Sequence, residues 1–314
     1  MLEPLLVDGL GRHLEDRYGV EVVEITPLDA GVFRVDRRDR APWVARVFAA
    51  KRPVAGVEED AAILRALERA GFPAERCAHP EPVSELLGQG VLVTDFLEDH
   101  GPLRPGRPAG ILGALLGRLH AHPATNVRPG GAWHHLSFEG GPREEIAAAA
   151  DLLDDHLPRV GVRELALFDR LRDEVARTDD CHDLPHAFVH PDFVPANAIS
   201  TADGKLAIVD WTGAGRGPRL WSIGFLLWAA GARDVRLVDV VVSRYRRGVE
   251  LEAVELDRLA GAIRARPVML EIWSVCAGRR EIGVAVDRIA RAADLAESIA
   301  HVARRAFTTR IDGR

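Results

Sequence analysis

Cysteine is scarce in this chain: of 314 residues only Cys77, Cys181 and Cys276 carry a thiol, far apart and without a CxxC pair or a histidine cluster at zinc-ligand spacing. Nothing is there to build a zinc module from, and buried free thiols in a reducing cytosol are the expectation. Long apolar runs are missing too. No stretch approaches the roughly 20 residues that cross a bilayer, and the opening MLEPLLVDGLGRHLEDR carries acids early with no apolar core of signal-peptide length. A cytoplasmic protein with no membrane partner is the expectation. Positive charge is outweighed, 41 Lys and Arg against 47 Asp and Glu for a net charge of -6, which argues against a nucleic-acid surface built on bulk positive potential. Low-complexity tracts and repeats at solenoid period are also lacking. What remains, 47% apolar and 28% charged residues, is an ordinary globular composition with length for one large domain or two lobes.

The order of patterns along the chain is uneven. After a short amphipathic helix ending near Tyr18, three β-like runs at 20–25, 32–36 and 43–48 are separated by Gly31 and the charged turn 37–40, which predicts an antiparallel meander. A helix follows over 57–70, where Ile63, Leu64 and Leu67 recur at helical spacing and Gly71 supplies the stop. A buried strand at 90–96 closes this section. The stretch 102–107, rich in proline, glycine and arginine, is a connection. Beyond it the helical period dominates, over 111–122, 143–157, 163–177, 220–230, 235–249, 256–276 and 280–307. One interruption, 186–210, is strand and turn in character, with β-branched runs around Ala202-Asp203-Gly204.

The chemistry is concentrated in that interruption. His190-Pro191-Asp192-Phe193-Val194-Pro195-Ala196-Asn197 is followed, after the turn, by Ile208-Val209-Asp210-Trp211. Phosphoryl transfer asks for one carboxylate to accept or orient a hydroxyl proton, and for an amide and a second carboxylate to hold magnesium against nucleotide phosphates. Asp192 takes the first role, and Asn197 and Asp210 the second. Each could serve as a turn former on its own, since Asp and Asn favour loops and caps. Their joint spacing supports the functional reading. His190 is expected to brace the loop rather than touch substrate.

These residues resemble the aminoglycoside phosphotransferase and choline kinase superfamily, whose loop reads His-Gly-Asp with an Asn five residues after the Asp, and whose metal-binding Asp precedes a Trp at a strand end. The likeness runs over most of residues 20–230, with Leu115–His120 matching the family's Leu-x-x-Leu-His helix. It implies an α+β, protein-kinase-like two-lobed fold: 1–97 a small antiparallel β lobe that binds nucleotide and ends in the hinge, 98–314 a larger, mostly helical lobe with the catalytic loop and substrate pocket. It also implies Mg2+, ATP or GTP as phosphate donor, and a hydroxylated small molecule as acceptor; antibiotic resistance is its commonest association. Arg46 stands where many kinases have Lys and is expected to grip the phosphates, since a guanidinium fork binds oxyanions bidentately. Asp60, on the inward face with Leu64 and Leu67, is its expected anion, whereas Glu58 and Glu59 are expected to form a solvated helix start. Main-chain groups of Asp95 and Leu97 are expected to meet the purine edge.

Three departures from the family pattern point to a second reading, a catalytically weak kinase-fold binding or regulatory protein. The turn at Asp29-Ala30-Gly31-Val32 has a single glycine, position 46 is Arg, and Ser222 stands where relatives often open a helix with the Asp that supports the catalytic loop. The complete Asp192, Asn197 and Asp210 set argues for catalysis. A protein-kinase reading is disfavoured because Asp210 leads through Gly213, Gly215 and Gly217 almost directly into the next helix. His134, His135, Glu139, Glu144 and Glu145 form a polar cluster that would suit an amine-bearing substrate, against the plainer reading of a solvated helix face.

Overall fold

Alternation of apolar and polar residues builds the first sheet. In the computed structural model, which describes residues 3–101, 103, 106–122 and 127–309, strands β1 (Val22–Asp29), β2 (Val32–Arg37) and β3 (Arg40–Val47) form the expected antiparallel meander. Helix α1 (Glu3–Tyr18) precedes them and α2 (Val54–Arg69) follows. Strands β4 (Val83–Leu86) and β5 (Gln89–Asp95) complete a sheet ordered β1-β2-β3-β5-β4. Phe33, Val35, Trp43, Ala45, Val91 and Val93 share one face of it and are sealed by Leu10 and Leu14 of α1. Burying such side chains contributes roughly 1.5–3 kcal/mol apiece. Helix α2 turns Val57, Ala61, Ile63, Leu64 and Leu67 inward, leaving Glu58 and Glu59 exposed.

The rest is mainly helical: α3 (Arg107–His120), α4 (Pro142–His156), α5 (Leu165–Ala176), α6 (Arg219–Gly231), α7 (Arg236–Tyr245), α8 (Ala253–Asp257), α9 (Leu259–Cys276) and α10 (Ile282–Thr308). The helix expected over 256–276 is therefore two, broken at Arg258. Leu153, Phe168, Leu171, Met269, Ile272 and Ile289 meet in one cluster drawn from α4, α5, α9 and α10. Helix α6 is apolar nearly all round, the pattern of a helix enclosed by others. Between the helices lie β6 (His186–Val189) and β9 (Gly215–Pro218), an antiparallel pair, and the hairpin of β7 (Ala198–Ser200) and β8 (Leu206–Ile208). This bears out the α+β class, with a small antiparallel sheet and a larger helical part. Among the described residues no helix is long and apolar enough to cross a membrane, and Cys77, Cys181 and Cys276 are free thiols.

The chain divides into two compact units, Met1–Pro102 with Ala198–Trp211, and Leu103–Asn197 with Thr212–Arg314. The β7–β8 hairpin is tied into the first unit by its backbone: Ile208 N–H donates to Pro73 O at 2.8 Å, Glu75 N–H to Ile208 O at 3.0 Å and His100 N–H to Ser200 O at 2.9 Å. Of the connection expected over 102–107, residues 102, 104 and 105 lie outside the described residues, and Arg107 opens α3.

Candidate functional site

In the first unit, the end of the β7–β8 hairpin brings Asp210 to Arg46 of β3. Arg46 Nη1 stands 2.8 Å from Asp210 Oδ1, and both side chains keep partial exposure, 19% and 16%. Burial works against the charge on Arg46, but the carboxylates of Asp210, Glu75 and Asp60 outweigh it and hold its pKa above the ordinary value. Asp210 has a left-handed backbone, φ 63°, unusual for a residue with a Cβ and tolerated best by Asn and Asp after Gly. Glu75 supports it, its Oε1 accepting the Asp210 N–H at 2.8 Å while Oε2 accepts the Thr94 hydroxyl at 3.2 Å. Burial raises the Glu75 pKa, opposed chiefly by Arg46. Sequence reasoning does not find Glu75, because it lies in the loop after α2, where no period marks it.

Asp60 occupies the inward face expected for it, yet its close ion pair is with Arg52, Nη2 to Oδ2 2.7 Å, rather than with Arg46. Both of those side chains are sealed, 0% and 2% exposed, the Arg52 guanidinium lies 4.3 Å from the centre of the Phe48 ring, and Nη2 also donates to Gly56 O. Asp60 acts on Arg46 through its field. At the end of β5, the Asp95 N–H donates to Arg76 O and the Phe96 N–H to Pro42 O, both structural bonds, so the N–H of Asp95 is not the group offered to a purine edge. Leu97 follows, half-buried. The turn at Gly31 has φ 70°, and a Cβ there would stand 2.6 Å from Val47 O; glycine is required by close packing as well as by backbone angle.

In the second unit, the loop after β6 carries Asp192 and Asn197. His190 is fully buried and accepts the Asp192 N–H on Nδ1 at 3.0 Å, the bracing expected of it. The Asn197 side chain donates from Nδ2 to Asp192 O at 2.9 Å. Ser222 on α6 supplies no carboxylate, but its hydroxyl donates to His190 O at 3.0 Å, so the loop is supported there by a neutral donor. Gly213, at φ 80°, is pressed against Ala132, where a Cβ would come 2.5 Å from the carbonyl oxygen. The glycines beyond Asp210 thus serve close packing of a strand, β9, as well as a short connection.

The polar cluster at 134–145 resolves differently from either expectation for one member. Glu145 is fully buried, in an ion pair with Arg266 of α9, and its Oε2 accepts the Trp133 N–H at 2.8 Å. It is neither a solvated face nor a substrate acid. Burial raises its pKa, opposed by Arg266. A signal for Arg266 was present: it sits three residues from both Ile263 and Met269, on the inward side of an apolar helix. Glu139 and Glu144 are exposed.

For magnesium the donor types fit. In the first unit Asp210 offers a carboxylate, and in the second Asn197 offers an amide oxygen whose orientation is fixed by its own N–H bond; each is an oxygen donor of the kind a hard cation takes.

No curated protein matches the chain by sequence. Solved structures match its fold. The amicoumacin kinase hAmiN, in complex with AMP-PNP, Ca2+ and Ami, superposes with a TM-score of 0.61 at 14% identity, over 92% of this chain and 92% of that one. The choline kinase LicA from Streptococcus pneumoniae gives 0.61 at 14% identity, over 92% and 98%. An aminoglycoside-3'-phosphotransferase of type VIII gives 0.57 at 20% identity, over 85% and 98%. The sequence profile of the phosphotransferase enzyme family matches residues 27–261, a span that holds Arg46, Asp192, Asn197 and Asp210, and the chain therefore belongs to that family.

Proposed function

We propose that this protein is a small-molecule kinase that transfers the γ-phosphate of ATP or GTP to a hydroxyl of a polar metabolite or antibiotic. The observation that carries the reading is the meeting of Arg46 and Asp210 at 2.8 Å, a phosphate-type cation and a metal-type carboxylate drawn together from β3 and the end of the β7–β8 hairpin, both partly exposed. Family membership supports it, as do neighbours described as kinases, one of them bound to AMP-PNP. Residues 1–97 serve as the nucleotide-binding part, with the main chain around Asp95 and Leu97 toward the base, and 98–314 bring the catalytic loop and the acceptor pocket.

In this reading Asp192 orients the acceptor hydroxyl and takes its proton as the new oxygen–phosphorus bond forms and the bond from the γ-phosphorus to the departing diphosphate oxygen breaks. Arg46 balances charge on the phosphates. Asn197 and Asp210 would hold Mg2+, which when bound neutralises phosphate charge. Little covalent work falls to the protein, so positioning and electrostatics carry the rate.

The test is isothermal titration with ATP and with GTP, with and without magnesium, followed by turnover of Asp192→Asn against hydroxylated acceptors. Binding is expected to depend on magnesium, and Asp192→Asn is expected to lose about 100- to 10,000-fold in turnover while keeping nucleotide affinity. Near-normal turnover in that variant, or no binding of either nucleotide, would overturn the proposal.

A further inference from the structure

Three consecutive carbonyls of the loop, those of His190, Pro191 and Asp192, are each taken by a side chain from a different place. Ser222 Oγ on α6 donates to His190 O at 3.0 Å, Arg266 Nη2 on α9 to Pro191 O at 2.9 Å, and Asn197 Nδ2 at the loop's end to Asp192 O at 2.9 Å. The Asp192 N–H is held as well, by His190 Nδ1. Loop carbonyls ordinarily go to water. Here the backbone on both sides of the Asp192 side chain is fixed, and the side-chain torsions then set where its carboxylate stands.

Arg266 is the unusual member. It is 2% exposed and divides its guanidinium between Glu145 and Pro191 O, while Glu145, 0% exposed, divides its carboxylate between Arg266 and the Trp133 N–H. Aromatic rings surround the cation, Phe225 with its centre 5.2 Å away and Trp133 5.5 Å. Stability alone gives no reason for this arrangement, because a buried ion pair can commonly be replaced by apolar residues without loss. What an apolar pair cannot do is donate to Pro191 O. The field of Asp192 adds to the upward shift of Glu145, so the pair lies close enough to sense the loop carboxylate.

We propose that Arg266, held by Glu145, and Ser222 are positioning residues that clamp the 190–192 backbone and so set where the Asp192 carboxylate stands. The proposal rests on the reading of Asp192 as the group that orients the acceptor. It also accounts for the Ser at position 222: part of the support that relatives often draw from an Asp comes here from a buried guanidinium on α9.

The deciding variant is Glu145→Leu/Arg266→Met, which removes both charges together so that neither is left buried alone, with Arg266→Lys as the conservative control. Three quantities are followed in the full chain: MgATP and MgGTP affinity, release of ADP or GDP with water as acceptor, and amide hydrogen exchange across 190–197. The double variant is expected to stay folded and bind nucleotide within about twofold of wild type. Turnover should fall on the order of 100-fold, the scale of a small misplacement of a reacting group. Exchange at 192–194 should quicken by about tenfold or more, as when a segment opens locally without global unfolding. Arg266→Lys, which keeps a donor, should restore part of the turnover. Wild-type exchange at 192–194 in the double variant, or wild-type turnover in it, overturns the clamp. Should the wild-type protein turn over neither nucleotide, the phosphotransfer reading falls while the exchange experiment still decides the clamp.

Discussion

Two Arg–carboxylate pairs in the first unit have nearly the same length and different access to solvent. Arg52 and Asp60, 2.7 Å apart, are sealed; Arg46 and Asp210, 2.8 Å apart, keep partial exposure. In the sealed pair water cannot replace either partner, so breaking it strands an ion in a medium of low dielectric. In the partly exposed pair water can still reach the two partners, and under the proposed function its loss should be felt in nucleotide binding. Equal distances therefore say nothing about role. What separates the two pairs is access to solvent, none for Arg52–Asp60 and partial for Arg46–Asp210.

The sharpest way to break this contrast is Arg52→Met, which leaves Asp60 buried without its cation. Urea unfolding should show a loss of about 3–5 kcal/mol, and adding Asp60→Leu should recover most of it. A loss below about 1 kcal/mol, the worth of an exposed pair, would erase the distinction.

A second sealed group extends the contrast to the other unit. His120 on α3 is buried with its Nδ1 2.8 Å from the Tyr245 hydroxyl, and burial, helped by the charge of Arg219, pushes its pKa down from 6.5 to about 3. The native ring stays neutral where the unfolded ring takes up a proton. Its contribution is thus fully present above pH 6.5 and is lost as pH falls from there toward about 3, at up to about 1.4 kcal/mol per pH unit. Unfolding free energies of wild type and His120→Asn, compared between pH 7 and pH 5, should converge as the pH falls; a constant gap would show that the ring is not sealed.

The smallest effect on stability is expected at the partly exposed pair. Asp210→Asn keeps a side chain suited to the left-handed backbone and should move the unfolding free energy by less than about 1 kcal/mol. The same variant should weaken magnesium-dependent nucleotide binding at least tenfold, about 1.4 kcal/mol. Titration calorimetry beside thermal unfolding checks both. A large stability loss with intact binding would reverse the roles of the two pairs.

What the sequence made legible follows the range of each interaction. The meander and α2 are written in periods of two and 3.6 residues and were readable. Strand β9, Gly-Arg-Gly-Pro, has no apolar alternation at all; it exists because β6 and the segment at Pro129 pair with it, and such pairing leaves no local trace. Strand β4 is only four residues long beside the turn at Leu87 and Gly88, both at positive φ. The loop from His190 to Asn197 was legible because its residues are close in sequence. The inward side of Asp60 was readable from helical spacing, but its partner was not, since the choice between Arg46 and Arg52 depends on how β3, the segment after it and α2 are folded together. Glu145 and Arg266 are separated by 121 positions, and nothing short of the fold joins them.

The placement of the β7–β8 hairpin has a consequence for how the protein is made. Residues 198–211 complete a unit that otherwise ends at 102. A nascent chain that has emerged only to that point lacks the backbone partners of Pro73, Glu75 and His100. About a hundred further residues must be synthesised before they arrive, a wait on the order of 10 s at common elongation rates. During that interval the first sheet can form, but the segment that will seat Asp210 stays unfinished. Translation thus delivers the β-sheet scaffold well before the charged pair it is to carry, and no contiguous cut of the chain can yield that unit whole without also carrying part of the other.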